Sequence, residues 1–238
     1  MKGKHKICGV VCAALLFGFG TTVAADNPED PWEGWNRAVW KFNKTADTYF
    51  LKPVAKGYDW VTPKPVDDGI SNVFDNLGET RNFLNDVLQF KFADAGTDLA
   101  RFVINSTVGV LGIFDVASRW GLDRNEEDFG QTLAAWGVES GPYLVLPFLG
   151  PSTVRDGIGL IPDIYSVPQA YIDHDQTRYS VYATDFIDTR ADLLDVEELV
   201  QGDEYSFVRD VYLQRRAFLV TDGDVEDDFT SDDFEEDY

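Results

Sequence analysis

The sequence has little that could carry covalent chemistry or hold a transition metal. Its two cysteines, Cys8 and Cys12, both fall in the first twelve residues, and its two histidines are His5 and His174. A zinc site built from several Cys or His ligands has no material beyond that leader. A Ser-His-Asp arrangement would have to use His174, and no G-x-S-x-G elbow is present. No Walker A sequence occurs, and "GVLGIF" and "GIGL" do not complete a G-x-G-x-x-G loop. Carboxylate pairs for glycoside hydrolysis carry no specificity where 42 acidic residues supply any spacing. The chain therefore reads as a non-enzyme with no cofactor. Basic residues are also scarce, 20 against 42 acidic ones, which argues against nucleic acid as a partner because phosphate binding needs a basic face. Finally, no uncharged run after Ala25 reaches the ~18 residues of a spanning helix.

What is present begins with a leader. Lys2, Lys4 and Lys6 precede an apolar run from Ile7 to Phe19, and Val23-Ala24-Ala25 supplies small residues before Asp26. This predicts a signal peptide over residues 1–25, cleaved after Ala25; a retained anchor is the alternative. Cleavage removes both cysteines, so an exported chain would carry no disulfide, against the usage of small stapled secreted folds. Residues 26–220 are long enough to form one domain without staples. Residues 221–238 read as an acidic, disordered tail: "DGDVEDDFTSDDFEEDY" has ten acids in seventeen residues and no base. As a calcium loop starting at Asp222 it fails, since Asp227 stands where the turn needs glycine.

Helical periodicity dominates the domain. "DPWE" at residues 30–33 reads as a helix start with Asp30 as cap and Pro31 at the first helical position. Trp35, Ala38, Val39, Phe42, Ala46, Tyr49 and Phe50 then share one face, and "KPV" at 52–54 ends or bends the helix. Further helices are predicted over 66–77, 83–88 and 92–103, with a short one capped by Asp128 and another over 152–160. "NSTVGVLGIFDVA" reads as a buried turn leading into a short helix. Two long helices close the chain, the second with Asp203 as cap. The architecture expected is all-α, with many short helices broken by Pro and Gly.

Two stretches stand out from this background. Residues 31–64 carry Arg37, Lys41, Lys44, Lys52, Lys56 and Lys64 together with Trp32, Trp35, Trp40 and Trp60. Rings and lysines together suit a membrane interface, where rings lie at headgroup depth and lysines reach phosphate. An amphipathic helix with a buried aromatic face fits the same residues. Ser140 to Val154, "SGPYLVLPFLGPSTV", holds no charge and three prolines. It fits either a bent apolar hairpin lying in one leaflet or a buried core loop.

The motifs "DPWEGWNRAVWKFNKTAD", "KPVAKGY", "TPKPVDDGISNVFDNL", "RFVINSTVGVLGIFDVA", "DFGQTLAAWGVESGPYLVLPFLGPSTVRDGIG" and "RADLLD" occur in that order. Together they resemble the MlaA (VacJ) family of outer-membrane proteins over roughly residues 30–220. The resemblance implies a ring-like arrangement of short amphipathic helices, monotopic in the inner leaflet of the outer membrane. It implies a passive channel that moves mislocalised outer-leaflet phospholipid inward to a periplasmic carrier of the MlaC type. It also implies a porin trimer as partner. A scaffold that binds porin without moving lipid is the alternative. Tyr143, Leu144, Leu146, Phe148, Leu149, Trp35 and Trp40 are then the expected membrane- or porin-facing residues, and Asn36, Asn43 and Asn72 the candidate channel-lining ones. Two departures stand against the family pattern. Cys12 follows "GVV", a poor lipid-attachment signal, so a free N-terminus near Asp26 is expected. Thr80 stands where the family usually has proline after the "NL" motif.

Overall fold

A computed structural model describes residues 30–195, 197 and 202–224. The expected leader, Cys12 and nearly all of the acidic tail lie outside the described residues. The described chain is mainly helical: α1 (Glu33–Ala46), a π-turn (Asp47–Leu51), α2 (Lys52–Val61), α3 (Lys64–Leu88), α4 (Phe92–Thr107), α5 (Val116–Arg119) and α6 (Phe129–Ala135). A hairpin follows, β1 (Tyr143–Leu146) and β2 (Gly150–Thr153), then α7 (Val154–Tyr165), a 3-10 turn (Pro168–Tyr171), α8 (Asp175–Asp192) and α9 (Glu204–Val220).

The helix boundaries follow local chemistry, with some differences from the sequence reading. Helix α1 starts at Glu33 rather than at Pro31. Asp30 does not cap it with its side chain; the buried carboxylate instead accepts from Asn36 Nδ2 (2.8 Å) and from the Tyr205 hydroxyl, tying the start of the domain to α9. The chain bends at "KPV" without stopping. Pro53 lacks an N–H and crowds the preceding turn, and the π-turn just before it absorbs the mismatch so that α2 continues. Pro63 and Pro65 end that run and open α3, where Pro65 sits in the first turn. The two apolar patterns predicted over 66–77 and 83–88 merge into this one long helix. Asp128 caps α6 by accepting from Gln131 N (2.9 Å), as its position predicted. Asp203 flanks α9 without a side-chain cap bond; its carboxylate binds Arg37 (2.7 Å) and the Ser206 hydroxyl (2.7 Å).

The uncharged stretch forms the only strands among the described residues. Tyr143 pairs with Thr153, and Leu146 with Gly150. Phe148 takes a positive φ of 65° at the tip and Gly150 one of 83°. Residues 108–114 form successive turns whose apolar side chains are exposed, not buried as the sequence reading expected: Val110, Leu111, Ile113 and Phe114 face out, while Gly109 and Gly112 are buried.

The main surprise is which faces are inside. On α4, Asp98, Arg101 and Asn105 are buried, at spacings of three and four, while Phe92, Leu99 and Val103 are exposed. On α7, Arg155, Asp156 and Asp163 are buried, while Ile158, Ile161, Ile164 and Tyr165 point outward. On α3 the buried set is Gly69 and the polar Asp67, Asn76, Glu79, Asn82, Asn85 and Asp86. These helices are amphipathic in the ordinary sense of one apolar stripe. In a water-soluble domain that stripe faces the core, and here it faces out.

Candidate functional site

The polar interior is held by a connected network. Arg101 is 2% exposed and donates to Glu79 (2.7 Å), to the Ser118 hydroxyl (2.9 Å) and to the Leu122 carbonyl (2.5 Å). Burial pushes the Glu79 carboxyl up, and Arg101 and Asn82 pull against that push. Asn105 accepts from the amides of Val116 and Ala117 (both 2.9 Å) and donates to Asp115 (3.0 Å), so it fixes the start of α5. Against the push of burial, hydrogen bonds from Ser118 and Asn105 hold Asp115 down at about 2.

A second node joins α6, α7 and α9. Arg216 donates to Asp128 (3.1 Å) and Asp156 (2.9 Å), and Asp156 also accepts from Tyr212 (2.9 Å) and Arg155 (3.1 Å). Asp163 accepts the first amide of α6 from Phe129 (3.0 Å) and an Asn85 bond (3.2 Å). Burial nevertheless pushes its carboxyl up to about 6. The close approach of α6 to α7 depends on glycine at both contact points. A Cβ on Gly159 would lie 2.6 Å from Gly130 N, and one on Gly130 would lie 2.5 Å from Asp156 Oδ1.

The asparagines expected to line a channel make clips to distant backbone. Asn36 is fully buried; it accepts from Val145 N (2.9 Å) and donates to the Tyr143 carbonyl (3.0 Å). Two helical turns on, Asn43 accepts from Phe148 N (2.8 Å) and donates to the Leu146 carbonyl (2.9 Å). Asn36 brackets Leu144 within β1, and Asn43 brackets Pro147 in the turn that follows it. Together they satisfy four backbone groups of the hairpin segment. Asn72 donates to the Ile113 carbonyl (3.0 Å) and so pins the 108–114 turns to α3. Full burial removes Asn36 from any water-filled path. Replacing it with Ala leaves a buried carbonyl and amide unpaired, an expected cost of ~2–4 kcal/mol, read as a lower denaturation midpoint. Asn43→Ala, at a half-exposed position, should cost less than half of that.

The expected membrane-facing residues divide. Trp35, Phe148 and Leu149 are exposed, Leu144 and Leu146 half-buried. Tyr143 is 1% exposed and packs with Val39, Val145 and Tyr205 in the small apolar core, so it faces no membrane. Trp40 packs against the same core, edge-on to Tyr205 at 6.1 Å. Alternation explains the split, since successive residues of β1 point to opposite faces. The exposed set also contains residues that periodicity alone did not single out as surface. Tyr49, Phe50, Trp60, Phe90, Leu111, Trp120 and Tyr171 are each more than 60% exposed. Val110 and Leu111 hold positive φ of 55° and 59°, unusual for bulky side chains.

Between α3 and α8 lies an open groove. A depression of about 260 Å³ lies between the two helices, and one of about 430 Å³, lined by α8 residues alone, adjoins it at Asp185 and Thr189. Their walls mix Phe74, Phe186 and Leu193 with Ser71, Asp75, Asp188 and Asp192. Asp188 accepts from Tyr58 (2.5 Å) and Ser71 (2.9 Å), joining α2, α3 and α8. Burial and the neighbouring Asp188 push the carboxyls of Asp185 and Asp192 up.

These features define a class: a helical protein whose polar residues are turned inward and whose apolar faces are turned to its surroundings, with no described helix long and apolar enough to cross a membrane. The profile of the MlaA lipoprotein family matches residues 28–219, and the chain belongs to that family. It is 33% identical over 232 residues to the intermembrane phospholipid transport system lipoprotein MlaA of Haemophilus influenzae, across 94% of this chain and 93% of that one. It is 35% identical over 202 residues to the protein of the same description in Escherichia coli, across 82% and 80%. A solved structure, described under "Structural basis for maintenance of bacterial outer membrane lipid asymmetry", superposes with a TM-score of 0.71 at 35% identity. The match covers 80% of this chain and 98% of that one.

Proposed function

We propose that this protein is a passive conduit for phospholipid at the outer membrane, taking lipid from the outer leaflet inward to a periplasmic carrier. One observation carries the reading: apolar side chains cover the outside of α4 and α7, and charged ones fill the inside. Such a body is stable where its outer face meets acyl chains. A headgroup crossing bare hydrocarbon loses its hydration at several kcal/mol per unsatisfied polar group, and a polar wall beside it removes most of that barrier. The groove between α3 and α8 supplies polar and apolar walls side by side, as an amphiphile needs. Trp35, Phe148 and Leu149 then face lipid or a porin trimer, and the exposed lysines Lys41 and Lys56 reach phosphate. No energy source is required in this chain, because removal of lipid by a carrier of the MlaC type sets the direction. The Haemophilus and Escherichia relatives, named for phospholipid transport, and the solved structure, concerned with outer-membrane lipid asymmetry, support the assignment.

Deleting the protein is expected to raise phospholipid exposed on the cell surface, measured by labelling intact cells with a probe that does not cross the membrane. Unchanged surface phospholipid would favour the scaffold reading, in which the protein holds porin and moves no lipid. Intact mass of the mature chain decides the attachment: a start at Asp26 fits the expected leader, and a diacylated Cys12 overturns it.

A further inference from the structure

Asp86 on α3 and Asp98 on α4 lie within hydrogen-bonding reach of each other where those helices pack as a hairpin, and both are 0% exposed. Asp98 is the anomaly, since neither of its carboxyl oxygens receives a hydrogen bond. Asp86 receives only long contacts from Asn125, at 3.4 and 3.5 Å. An ionised carboxylate left in that position would be among the costliest groups a protein can bury.

The neighbouring charges offer no relief. On α3 the facing group is Glu79, already paired with Arg101. On α4 they are Asp94 and Arg101, and Arg101 is spent on Glu79, Asp115, the Ser118 hydroxyl and the Leu122 carbonyl. From the segment before α6 comes Glu127, a further negative charge. Lys91, in the link between the helices, is taken by Glu127 (2.9 Å) and Asp222. Nor are three or more Asp, Glu, His or Cys side chains among the described residues arranged to hold a metal ion.

We propose that Asp98 is a neutral carboxylic acid that donates its proton to Asp86, so that one buried proton locks α3 against α4. Protonated Asp98 supplies the donor that both carboxyls lack, and the pair carries one negative charge instead of two. Burial and the Asp86 charge push Asp98 far above the ordinary carboxyl range, which agrees with the geometry. The lock matters because of what the two helices carry. Helix α3 forms one wall of the groove, and α4 presents Phe92, Leu99 and Val103 outward and leads into the Val110–Leu111 turn. Loss of the proton drives the two helices apart at their joint.

The linkage has a definite sign. The folded chain holds a proton that the unfolded chain releases, so stability is full below the unfolded carboxyl range near 4 and falls as pH rises, until Asp98 itself ionises at up to about 9. The test uses the full chain in detergent micelles, with chemical unfolding followed from pH 7 to 8.5. Above pH 7, Asp163 at about 6 is ionised and contributes little. In the wild type the unfolding constant is expected to rise up to tenfold per pH unit, with close to one proton released on unfolding. Asp98→Asn keeps a donor to Asp86 without a titrating proton, so its unfolding constant should be flat over the same range. A wild-type slope retained in Asp98→Asn, or no pH dependence in the wild type, overturns the proposal. If Asp98→Asn does not fold, infrared spectra of the wild type with isotope-labelled aspartate decide at pH 8. A protonated aspartate band that shifts in Asp86→Asn supports the lock. No such band, or one that Asp86→Asn leaves unmoved, overturns it.

Discussion

Arg101→Met is expected to lower stability by ~3–5 kcal/mol, because it strands the Glu79 carboxylate inside the protein. Glu79 is 0% exposed, and without Arg101 its remaining side-chain donor is Asn82 at 3.4 Å. The substitution also leaves the Ser118 hydroxyl, the Leu122 carbonyl and one side of Asp115 short of a donor. Denaturation midpoints in detergent measure the loss. A double substitution, Glu79→Met with Arg101→Met, should recover much of it, since removing both charges avoids the stranded one. The loss should also grow as pH rises. Burial raises the folded carboxyl of Glu79, so without its partner the group is tolerable only when protonated. A single-variant loss under ~1 kcal/mol would mean that the pair is well hydrated and that Glu79 is not cut off from water.

Introducing charge on the outward face of α7 is expected to act oppositely, sparing the fold and destroying its attachment. Ile158 and Ile161 are exposed, at 57% and 59%, one turn apart, and the polar face of the same helix carries the buried Asp156 and Asp163. Aspartate in the middle of the hydrocarbon costs ~2.5–3.5 kcal/mol per residue. Ile158→Asp with Ile161→Asp should therefore shift the partition between membrane and soluble fractions by a factor on the order of a thousand or more. Circular dichroism of the detergent-purified variant should match the wild type, since neither side chain is part of the core. Retention in the membrane fraction would assign this face to a contact with another protein chain in place of lipid.

Both results depend on the inversion of the helices, which is also where sequence and structure part. The helix content was legible from periodicity, because the stripe of one type recurs every three to four residues whichever way it faces. Stops at Pro63, the cap at Asp128 and the bend at Lys52–Val54 were legible for the same kind of reason: each follows from the backbone chemistry of a few adjacent residues. The hairpin was half legible. Its lack of charge and its prolines announced a bent apolar segment, yet Tyr143 and Val145 went to the core while Phe148 and Leu149 went outside. That division needs the register of β1 against α1, which Asn36 and Asn43 impose from more than a hundred residues away.

The candidate site was less legible than the fold. Asparagine on a polar helical face reads equally as a channel wall or as a partner for a distant backbone, and only the packed structure distinguishes them. The acidic groove could not be anticipated, because Ser71, Asp75, Asp188 and Asp192 lie on two helices separated by about a hundred residues. Asp86 and Asp98 are two ordinary acids in a chain full of them. The sequence by itself determined that the chain is helical, its breaks at proline, and the family to which it belongs, since those depend on neighbours along the chain. The tertiary structure alone decided which stripe faces out, which carboxyls lose water, and which amides clip the hairpin. Those outcomes depend on solvent exclusion and on partners distant in the chain, and no local pattern encodes them.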